Sequence, residues 1–393
     1  METLEAGACL PNDLDDALLV GRVWRPAPVD GPCVVVVRGG QVFDVTAAAP
    51  VTADLFDRED PVAFAREAPG EALGPACRLV ADSLPGSRAP ARPRLLAPCD
   101  VQAIKACGVT FIASLMERLI EERIGGSASQ AGELRETLQR ILGTDLGEVR
   151  PGTPAARRLK EELTRRKLWS PYLEVGIGED AEVFTKAQPM SAVGFGSDVG
   201  VLPGSDWNNP EAEIVLVADR RGRVVGATLG NDVNLRDMEG RSALLLGKAK
   251  DNNASCAIGP FVRLLDERYT MDSVRDAPLT LSIEGEQDAF ALRDAGSMRE
   301  IARDPLDLVA QTCGPQHQYP DGFVLFLGTM FAPVQDRGAA GEGFTHRLGD
   351  RVAIGSPGLG MLVNTVRLST EIDPWAFGVR SLYRNLLARG VLA

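Results

Sequence analysis

The chain has 393 residues, a formal net charge of −12 at pH 7, 45% apolar residues and 24% charged residues. This composition is that of an ordinary globular protein, and the length allows one large domain with a smaller one. Basic residues are interspersed with acidic ones and form no stripe, so the charge pattern argues against nucleic acid as a partner.

Cysteine usage and hydropathy give expectations about the compartment. The seven cysteines are odd in number and never fall in Cys-x-x-Cys spacing, which is typical of reduced thiols in a cytoplasmic protein. The chain shows no basic and apolar leader sequence and no run of about 18 apolar residues, so neither a signal peptide nor a membrane-spanning helix is predicted.

Short β-branched runs separated by turn residues fill the N-terminal part of the chain. Two of them, Leu19–Trp24 and Cys33–Val37, predict a small sheet domain. The stretch 84–98 contains four prolines and predicts an extended linker. We therefore divide the chain into an N-terminal β-rich domain with its linker, residues 1–98, and a larger domain, residues 99–393.

Two segments after the linker have helical patterns. Apolar residues recur at helical spacing from Ile112 to Ile120, with charged residues on the other faces, and predict an amphipathic helix. Residues 130–167 are rich in Arg and Glu and predict a surface insertion of one or two helices with a solvated charged face.

Paired carboxylates begin the most informative stretch of the chain. Glu211 and Glu213 stand at the head of the apolar run Ile214–Ala218, and side chains two apart on a strand share a face. A solvated strand face is the simpler interpretation of such a pair. Here Val215 and Val217 continue the carboxylate face, so both faces of the strand are predicted to be buried. Neighbouring buried carboxylates repel each other and lose hydration, and a bound cation would offset both costs.

A turn and a returning strand follow this run. The sequence predicts a turn at Asp219–Arg223 and a second strand at Val224–Leu229, and a hairpin of the two strands would bring Asp232 beside the glutamates. Three carboxylates without His or Cys suit a hard divalent ion with oxygen ligands, most simply Mg²⁺, with Mn²⁺ as the alternative.

The rest of the chain is predicted in outline. Residues 278–284 and 323–329 predict strands, with a helix around residues 298–310 between them. The polar loop 314–322 fits a pocket wall and an exposed surface equally well. The C-terminal tail predicts a docked helix.

The stretch 210–263 resembles the signature of the fumarylacetoacetate hydrolase superfamily. The shared pattern is Glu-x-Glu on one strand, then Gly-Asn-Asp-Val-x-x-Arg-Asp, then a lysine ahead of a strand of small residues. On this pattern Glu211, Glu213 and Asp232 take the metal-ligand positions and Lys250 takes the catalytic lysine position. The resemblance covers roughly residues 101–370. It implies an α+β, β-rich fold with a mixed β-sheet core, in an enzyme that forms a homodimer or homotetramer.

A second motif of the superfamily is altered in this chain. Hydrolases and decarboxylases of the superfamily place a His-Glu pair three residues apart on one helix, where it activates water or moves protons. Residues 108–117 resemble that segment and keep the glutamate as Glu117, but Ser114 stands at the histidine position and Thr110-Phe111 replace Asn-Tyr. Serine is no general base at its ordinary pKa, so a water-activating pair cannot form here. We assign Ser114 and Glu117 to substrate binding.

Three further residues match site positions of the superfamily. Glu182 stands where the sugar-acid dehydratase branch has a glutamate, and Lys186 lies in a Phe-x-Lys-x-x-Pro segment. Thr329 lies in a loop that resembles the substrate-touching Gly-Thr-Pro loop, although three residues separate it from the proline. We predict Glu182 as the acid or base that partners Lys250, with an exposed strand-end glutamate as the alternative, and Lys186 and Thr329 as substrate-binding residues.

The resemblance to the dehydratase branch implies Mg²⁺-dependent dehydration of a 2-keto-3-deoxy-pentonate, of the xylonate or arabinonate type, to 2,5-dioxopentanoate in oxidative pentose breakdown. That reaction needs one base and one acid and no hydrolytic nucleophile, so it tolerates the loss of the histidine. An acylpyruvate hydrolase or oxaloacetate decarboxylase of the same superfamily is the alternative, and Ser114 counts against it. A binding protein without catalysis is a third hypothesis, and the retained carboxylates and lysine count against that one.

Overall fold

The computed structural model describes residues 4–87, 91–111, 115, 150–165, 167, 169–331, 333, 335–337 and 343–392. Ser114, Glu117 and most of the two predicted helical segments between residues 112 and 149 lie outside these ranges. Within them, Pro154–Arg165 forms a helix that accounts for the end of the predicted insertion.

Strands make up most of the ordered structure. In chain order they are β1 (Leu19–Arg25), β2 (Gly31–Arg38), β3 (Gln41–Asp44), β4 (Glu71–Pro75), β5 (Arg94–Leu96), β6 (Ala103–Gly108), β7 (Glu182–Ala187), β8 (Asp198–Val201), β9 (Asn208–Asn209), β10 (Ala212–Ala218), β11 (Val224–Asp232), β12 (Asn234–Leu235), β13 (Cys256–Leu264), β14 (Pro278–Glu284), β15 (Ala291–Ser297), β16 (Phe323–Phe326), β17 (Arg351–Ser356) and β18 (Gly360–Leu368).

The α-helices of the described residues are short. They are α1 (Thr52–Phe56), α2 (Pro61–Glu67), α3 (Ala76–Ser83), α4 (Pro154–Arg165), α5 (Pro171–Ile177), α6 (Arg236–Glu239), α7 (Leu246–Lys250), α8 (Met271–Arg275), α9 (Pro305–Thr312) and α10 (Val379–Ala388). None of the described helices is both long and apolar enough to cross a membrane.

The helix predicted around residues 298–310 begins later than expected. Strand β15 continues to Ser297 and a short 3₁₀ turn follows it. Helix α9 starts only at Pro305, because the Asp304 side chain accepts a hydrogen bond from the backbone N–H of Leu306 and the proline ring suits the first helical position. The N-terminal half of that prediction is therefore wrong.

Two mixed sheets organise the described chain. The larger has eleven strands in the order β4-β3-β2-β1-β13-β11-β10-β16-β6-β7, with β5 paired to β1, and its β16–β6 pair is parallel. The smaller has the order β15-β14-β17-β18-β8, and its β18–β8 pair is parallel. The α+β, β-rich fold class predicted from the sequence is confirmed.

The N-terminal strands extend the larger sheet. Strand β1 pairs with β13 through the antiparallel partners Leu19 with Arg263 and Val20 with Val262. Hydrogen bonds thus run continuously from the N-terminal strands to the hairpin that carries the paired carboxylates. The domain boundary after residue 98 stays a prediction.

Strand β10 lies between two hydrophobic clusters. Ala212, Ile214 and Leu216 pack into one cluster, and Val215 and Val217 pack into the other. Every residue of β10 is buried, so the prediction that both faces of this strand are covered is confirmed. The carboxylates at its head are therefore held against a rigid, water-excluding sheet.

The C-terminal tail ends in a docked helix, as predicted. Leu382 and Leu386 are buried on one face of α10. The Asn385 side chain donates to the carbonyl of Asp30 at 2.9 Å, and Arg389 donates to the carbonyl of Pro32 at 2.8 Å. These contacts fasten the end of the described chain to the start of β2.

Candidate active site and metal centre

A tight reversal of the chain brings the three carboxylates together. The Asp219 side chain accepts hydrogen bonds at 2.9 Å from the backbone N–H groups of Arg221 and Arg223, and this turn joins β10 to β11. At the other end of the hairpin, Glu211 and Asp232 exchange backbone hydrogen bonds of 3.1 and 3.0 Å. The predicted hairpin is confirmed.

The carboxylates of Glu211, Glu213 and Asp232 share one face of this hairpin. One oxygen from each lies within 4.8 Å of the other two, and the three residues are only 6%, 1% and 1% exposed. Glu213 lies opposite Gly230 in the register, where an added Cβ would collide with Phe326 and Val215. The glycine therefore leaves room for Phe326 and Val215 to pack next to Glu213.

Glu213 is the deepest member of the cluster. The backbone N–H of Gly328 donates to its Oε2 at 2.7 Å. Burial, together with the charges of Asp232 and Glu211, nevertheless raises the pKa of Glu213 well above its usual range, against the opposing effect of Lys250 and the Gly328 hydrogen bond. The cluster is therefore short of positive charge.

Gly328 is itself held by Thr110. The Thr110 hydroxyl donates to the carbonyl of Leu327 at 2.6 Å. Gly328 has a φ of +90°, and a Cβ added there would lie 2.1 Å from the Thr110 hydroxyl oxygen. A bulkier residue would not fit, so Thr110 and Gly328 together aim an N–H group at Glu213.

Glu211 is oriented by an amide and an ammonium. The Asn234 side chain donates to Glu211 Oε1 at 3.0 Å and to Glu239 Oε2 at 2.7 Å. Lys250 Nζ forms a close ion pair with Glu211 and a second ion pair with Asp232 at 3.1 Å. The lysine that follows the carboxylates in the sequence thus lies directly against them in the fold.

Lys250 ends helix α7 and is 3% exposed. Its Nζ lies 5.8 Å from the centre of the Phe184 ring. Burial disfavours the ammonium, but the charges of Asp232, Glu211 and Glu239 outweigh burial and raise the pKa of Lys250 above its ordinary value. In this arrangement Nζ carries a proton.

Lys186 occupies a different position from the one its motif predicts. It is fully buried, and its Nζ pairs with Asp232 Oδ1 at 2.9 Å while donating to the backbone carbonyl of Lys250. It is absent from the described residues that line the cavity beside the carboxylates. Lys186 therefore supports the cluster from behind, and its assignment to substrate binding stays a prediction that this position does not favour.

The cluster lies at the wall of a cavity. Its described lining consists of Cys107, Gly108, Val109, Glu182, Phe184, Asn209, Glu211, Glu213, Arg236, Glu239, Lys250, Thr329 and Phe331. No histidine occurs in this lining. Burial and the charges of Glu213 and Glu182 raise the pKa of the Cys107 thiol well above its ordinary value, so this thiol stays protonated beside the carboxylates.

Glu182 faces the cavity from the start of β7, opposite Gly108 of β6. A Cβ added to Gly108 would lie only 1.9 Å from Glu182 Oε2, so the carboxylate fills the space that this glycine leaves. Thr329 also lines the cavity, but its hydroxyl donates to the carbonyl of Ala212 at 3.2 Å and accepts from the N–H of Phe331 at 3.1 Å. Its hydroxyl proton is therefore already engaged by the backbone.

Several lining residues were missed from the sequence. Arg236 lies with its guanidinium 4.9 Å from the centre of the Trp207 ring, and it is the arginine of the Gly-Asn-Asp-Val-x-x-Arg-Asp pattern, so a signal for it existed. Glu239 and Asn209 carried no comparable signal, because a short helix, α6, and a two-residue strand, β9, bring them to the cavity.

The residues present fit a hard divalent cation. All three candidate ligands are carboxylates, which suit Mg²⁺ or Mn²⁺ better than softer metals. The raised pKa of Glu213 and the close pairing of Lys250 both show that the cluster attracts positive charge. A divalent ion would supply that charge where three buried carboxylates meet.

Comparison with known proteins agrees with this geometry. Residues 173–367 match the family profile described as fumarylacetoacetate (FAA) hydrolase C-terminal. A protein of Haloferax volcanii named "Probable 2-keto-3-deoxyxylonate dehydratase" is 35% identical over 50% of this chain and 63% of its own length. A protein of Saccharolobus solfataricus named "2-dehydro-3-deoxy-D-arabinonate dehydratase" is 30% identical over 56% of this chain and 70% of its own length. The match thus spans less than two thirds of the Haloferax protein.

Solved structures show the same fold. The apo form of a 2-keto-3-deoxy-D-arabinonate dehydratase superposes with a TM-score of 0.60 at 19% identity, over 89% of this chain and 99% of that one. A structure described as that enzyme complexed with magnesium and 2,5-dioxopentanoate gives a TM-score of 0.60 at 18% identity, over 89% and 99% of the two chains. The signature residues, the mixed sheets and these relatives agree, and the chain belongs to the fumarylacetoacetate hydrolase family.

Proposed function

We propose that this protein is a divalent-metal-dependent dehydratase that converts a 2-keto-3-deoxy-pentonate of the xylonate or arabinonate type into 2,5-dioxopentanoate. The observation that carries the proposal is the buried cluster of Glu211, Glu213 and Asp232 with Lys250 paired against it. The proposal is supported by two relatives, 35% and 30% identical, that are named as dehydratases of such acids.

Glu211, Glu213 and Asp232 would hold the ion, with Mg²⁺ the simplest choice and Mn²⁺ the alternative. When bound, the ion would polarise the 2-oxo group and stabilise the negative charge that develops as a C3 proton leaves. The N–H of Gly328 and the amide of Asn234 keep Glu213 and Glu211 oriented. The sheet behind them excludes water.

Lys250 and Glu182 divide the proton transfers. Glu182 lines the cavity, and its carboxylate takes the proton from C3 of the substrate. Lys250, which lines the same cavity, gives a proton from Nζ to the C4 hydroxyl, so that the C4–O bond breaks and water leaves. One proton then leaves C5 and one leaves the C5 hydroxyl, while one proton returns to C3 and one to C4, which converts the C5 alcohol into the aldehyde. The net change is the loss of one water.

Hydrolysis of an acylpyruvate and decarboxylation of oxaloacetate fit the site less well. Both activities in the family rely on a His-Glu pair, and no histidine occurs among the described residues that line the cavity. His346, the more buried of the two histidines, pairs with Asp350 instead. The site therefore favours dehydration over both of these reactions.

The test is an aldehyde assay on both C4 epimers of 2-keto-3-deoxy-pentonate, with acylpyruvate and oxaloacetate in parallel. We expect aldehyde formation from at least one epimer without loss of carbon, abolished by EDTA and restored by Mg²⁺. Glu182→Gln and Lys250→Met should each lower turnover by about a hundredfold or more. The exposed Glu179 provides the matched control, and Glu179→Gln should keep full activity. Cleavage of acylpyruvate without aldehyde from either epimer would refute the proposal.

A further inference from the structure

Asn209 lines the cavity, and its side chain carries a hydrogen-bond acceptor without a partner. The residue is 2% exposed, and its Oδ1 has no hydrogen-bond partner among the described residues. A buried polar atom without a partner is unfavourable, because it has lost its hydration and gained no hydrogen bond. A partner that arrives with the ligand would satisfy such an atom.

The orientation of this amide is fixed by the fold. Asn209 lies on the two-residue strand β9, opposite Asn234 of β12. Its Nδ2 donates to the carbonyl of Pro210 at 3.0 Å, which identifies the nitrogen and leaves Oδ1 as the free end. Asn234 in turn donates to Glu211, so Asn209 stands beside the carboxylate cluster.

Other buried amides lack a partner on their oxygen, but none of them is among the described residues that line the cavity. These are Asn208, Asn231, Asn234 and Asn364. Among the described residues, Asn209 is the member of this group that lines the cavity with Lys250 and Glu182. The combination of an unpartnered acceptor and a place in the cavity wall is therefore specific to Asn209.

We infer that Asn209 is a specificity-determining residue whose Oδ1 accepts a hydrogen bond from the terminal, C5 hydroxyl of a hydroxylated 2-oxo acid. This inference rests on the proposed function for the class of substrate. The two hydroxyls of a 2-keto-3-deoxy-pentonate play different parts in the dehydration. The C4 hydroxyl must gain a proton to leave, and an amide oxygen has none to give. The C5 hydroxyl stays on the molecule through the elimination and suits a neutral acceptor.

A hydrogen bond to Asn209 Oδ1 would make the protein bind acids that lack the terminal hydroxyl less tightly. An acid with a methyl group at that end would leave Asn209 Oδ1 buried and unpaired, whereas the hydroxylated acid satisfies it. A neutral hydrogen bond of this kind corresponds to about a three- to tenfold difference in Kd.

The experiment compares the binding of two non-reactive probes, 5-hydroxy-2-oxopentanoate and 2-oxopentanoate, by calorimetry at saturating Mg²⁺. Neither probe has a C4 hydroxyl, so neither can be dehydrated. We expect the wild-type protein to bind the 5-hydroxy acid about three to ten times more tightly. Asn209→Ala should bring the ratio of the two Kd values to about one while Mn²⁺ affinity stays unchanged. Asn208→Ala is the matched control on the same strand and should keep the wild-type ratio.

Three outcomes would overturn the inference. The first is a wild-type protein that shows no preference for the 5-hydroxy acid, including one that binds neither probe. The second is an unchanged ratio in Asn209→Ala, and the third is an equal loss of affinity for both probes in that variant. The proposed function is judged separately by aldehyde formation, so an inactive protein that still shows the Asn209-dependent ratio would refute the dehydratase and retain this inference.

Discussion

Thr110 is linked to the candidate metal centre through the loop at Gly328. Its hydroxyl holds the carbonyl of Leu327, and the next residue, Gly328, donates to Glu213. Thr110 is 1% exposed, and its own carbonyl accepts from the N–H of Ala302 at 2.8 Å. It therefore joins the end of β6, the Gly328 loop and the segment before α9 at one point, and it is a positioning residue for a carboxylate of the cluster.

Thr110→Val should weaken binding of Mn²⁺ by about tenfold or more, because loss of the hydroxyl frees the Leu327 carbonyl and lets the Gly328 N–H drift from Glu213. Valine keeps the shape of threonine, so the fold is retained. The measurement is a Mn²⁺ titration by electron paramagnetic resonance. Thr110→Ser keeps the hydroxyl and should restore wild-type affinity. Equal affinity in the valine variant and the wild-type protein would show that Thr110 has no such role.

Residue chemistry was the easiest part of the site to predict from the sequence. Glu211, Glu213 and Asp232 were identified because two short patterns with fixed spacing place them on one face of a hairpin. Asn209 was not identified from the sequence, because a single asparagine belongs to no repeating pattern of residues. Its importance depends on an unpaired oxygen, which becomes visible only when the surrounding strands are in place.

The buried ammonium group of Lys186 connects strand β7 to the end of helix α7. Lys186 of β7 pairs with Asp232 Oδ1 and donates to the carbonyl of Lys250 at the end of α7. The Ser255 hydroxyl donates to the same carbonyl at 2.8 Å. These contacts fix the loop after Lys250, so the strand that begins with Glu182 and the helix that ends with Lys250 keep a constant separation.

Lys186→Met should lower the free energy of unfolding of the metal-free protein by about 3 to 5 kcal/mol, because it leaves the buried Asp232 without one of its two ammonium partners. Urea unfolding with and without Mg²⁺ measures the effect. Mg²⁺ should stabilise the variant more than the wild-type protein, since the ion supplies part of the missing charge.

Lys105→Met is the control for that experiment. Lys105 lies on the neighbouring strand β6 and donates to the Thr185 hydroxyl at 2.9 Å, and its loss should change stability little. If Lys186 bound substrate instead, Lys186→Met would raise KM and leave the metal-free stability unchanged.

For the secondary-structure elements, local sequence patterns predicted the hairpin strands correctly but placed the start of one helix incorrectly. The hairpin β10–β11 followed from alternation and from the turn at Asp219–Arg223. The start of α9 did not, because the residues after β15 form a 3₁₀ turn and the helix begins only at Pro305, where Asp304 caps it. Apolar spacing alone does not show where such a cap lies.

The whole molecule is organised around the larger sheet. The sequence predicted an N-terminal sheet, but not that β1 would pair with β13 and so join the strands that carry the site. Long-range pairings of this kind leave no mark on local sequence patterns, because the partners lie more than 200 residues apart along the chain. The superfamily signature predicted the core, whereas the order of strands around it required the structure.

The assembled sheet explains why the cluster can exist at all. Three carboxylates that are each at most 6% exposed would separate in a loose fold, because repulsion and lost hydration act together. Hydrogen bonds along β10, β11 and β16 prevent that separation. The fold thus holds together three buried carboxylates whose repulsion a divalent ion would offset.

The most direct test is a calorimetric titration of the purified protein with Mn²⁺, made on the wild-type chain and on Glu213→Gln. Glutamine can still accept the Gly328 N–H, so the loop should keep its place. A metal site at the cluster predicts one Mn²⁺ per chain in the wild-type protein and a loss of more than about a hundredfold in affinity in Glu213→Gln, beyond what loss of a contact outside the ligand set would cause. Wild-type affinity in Glu213→Gln, or no Mn²⁺ bound to the wild-type chain, would contradict it.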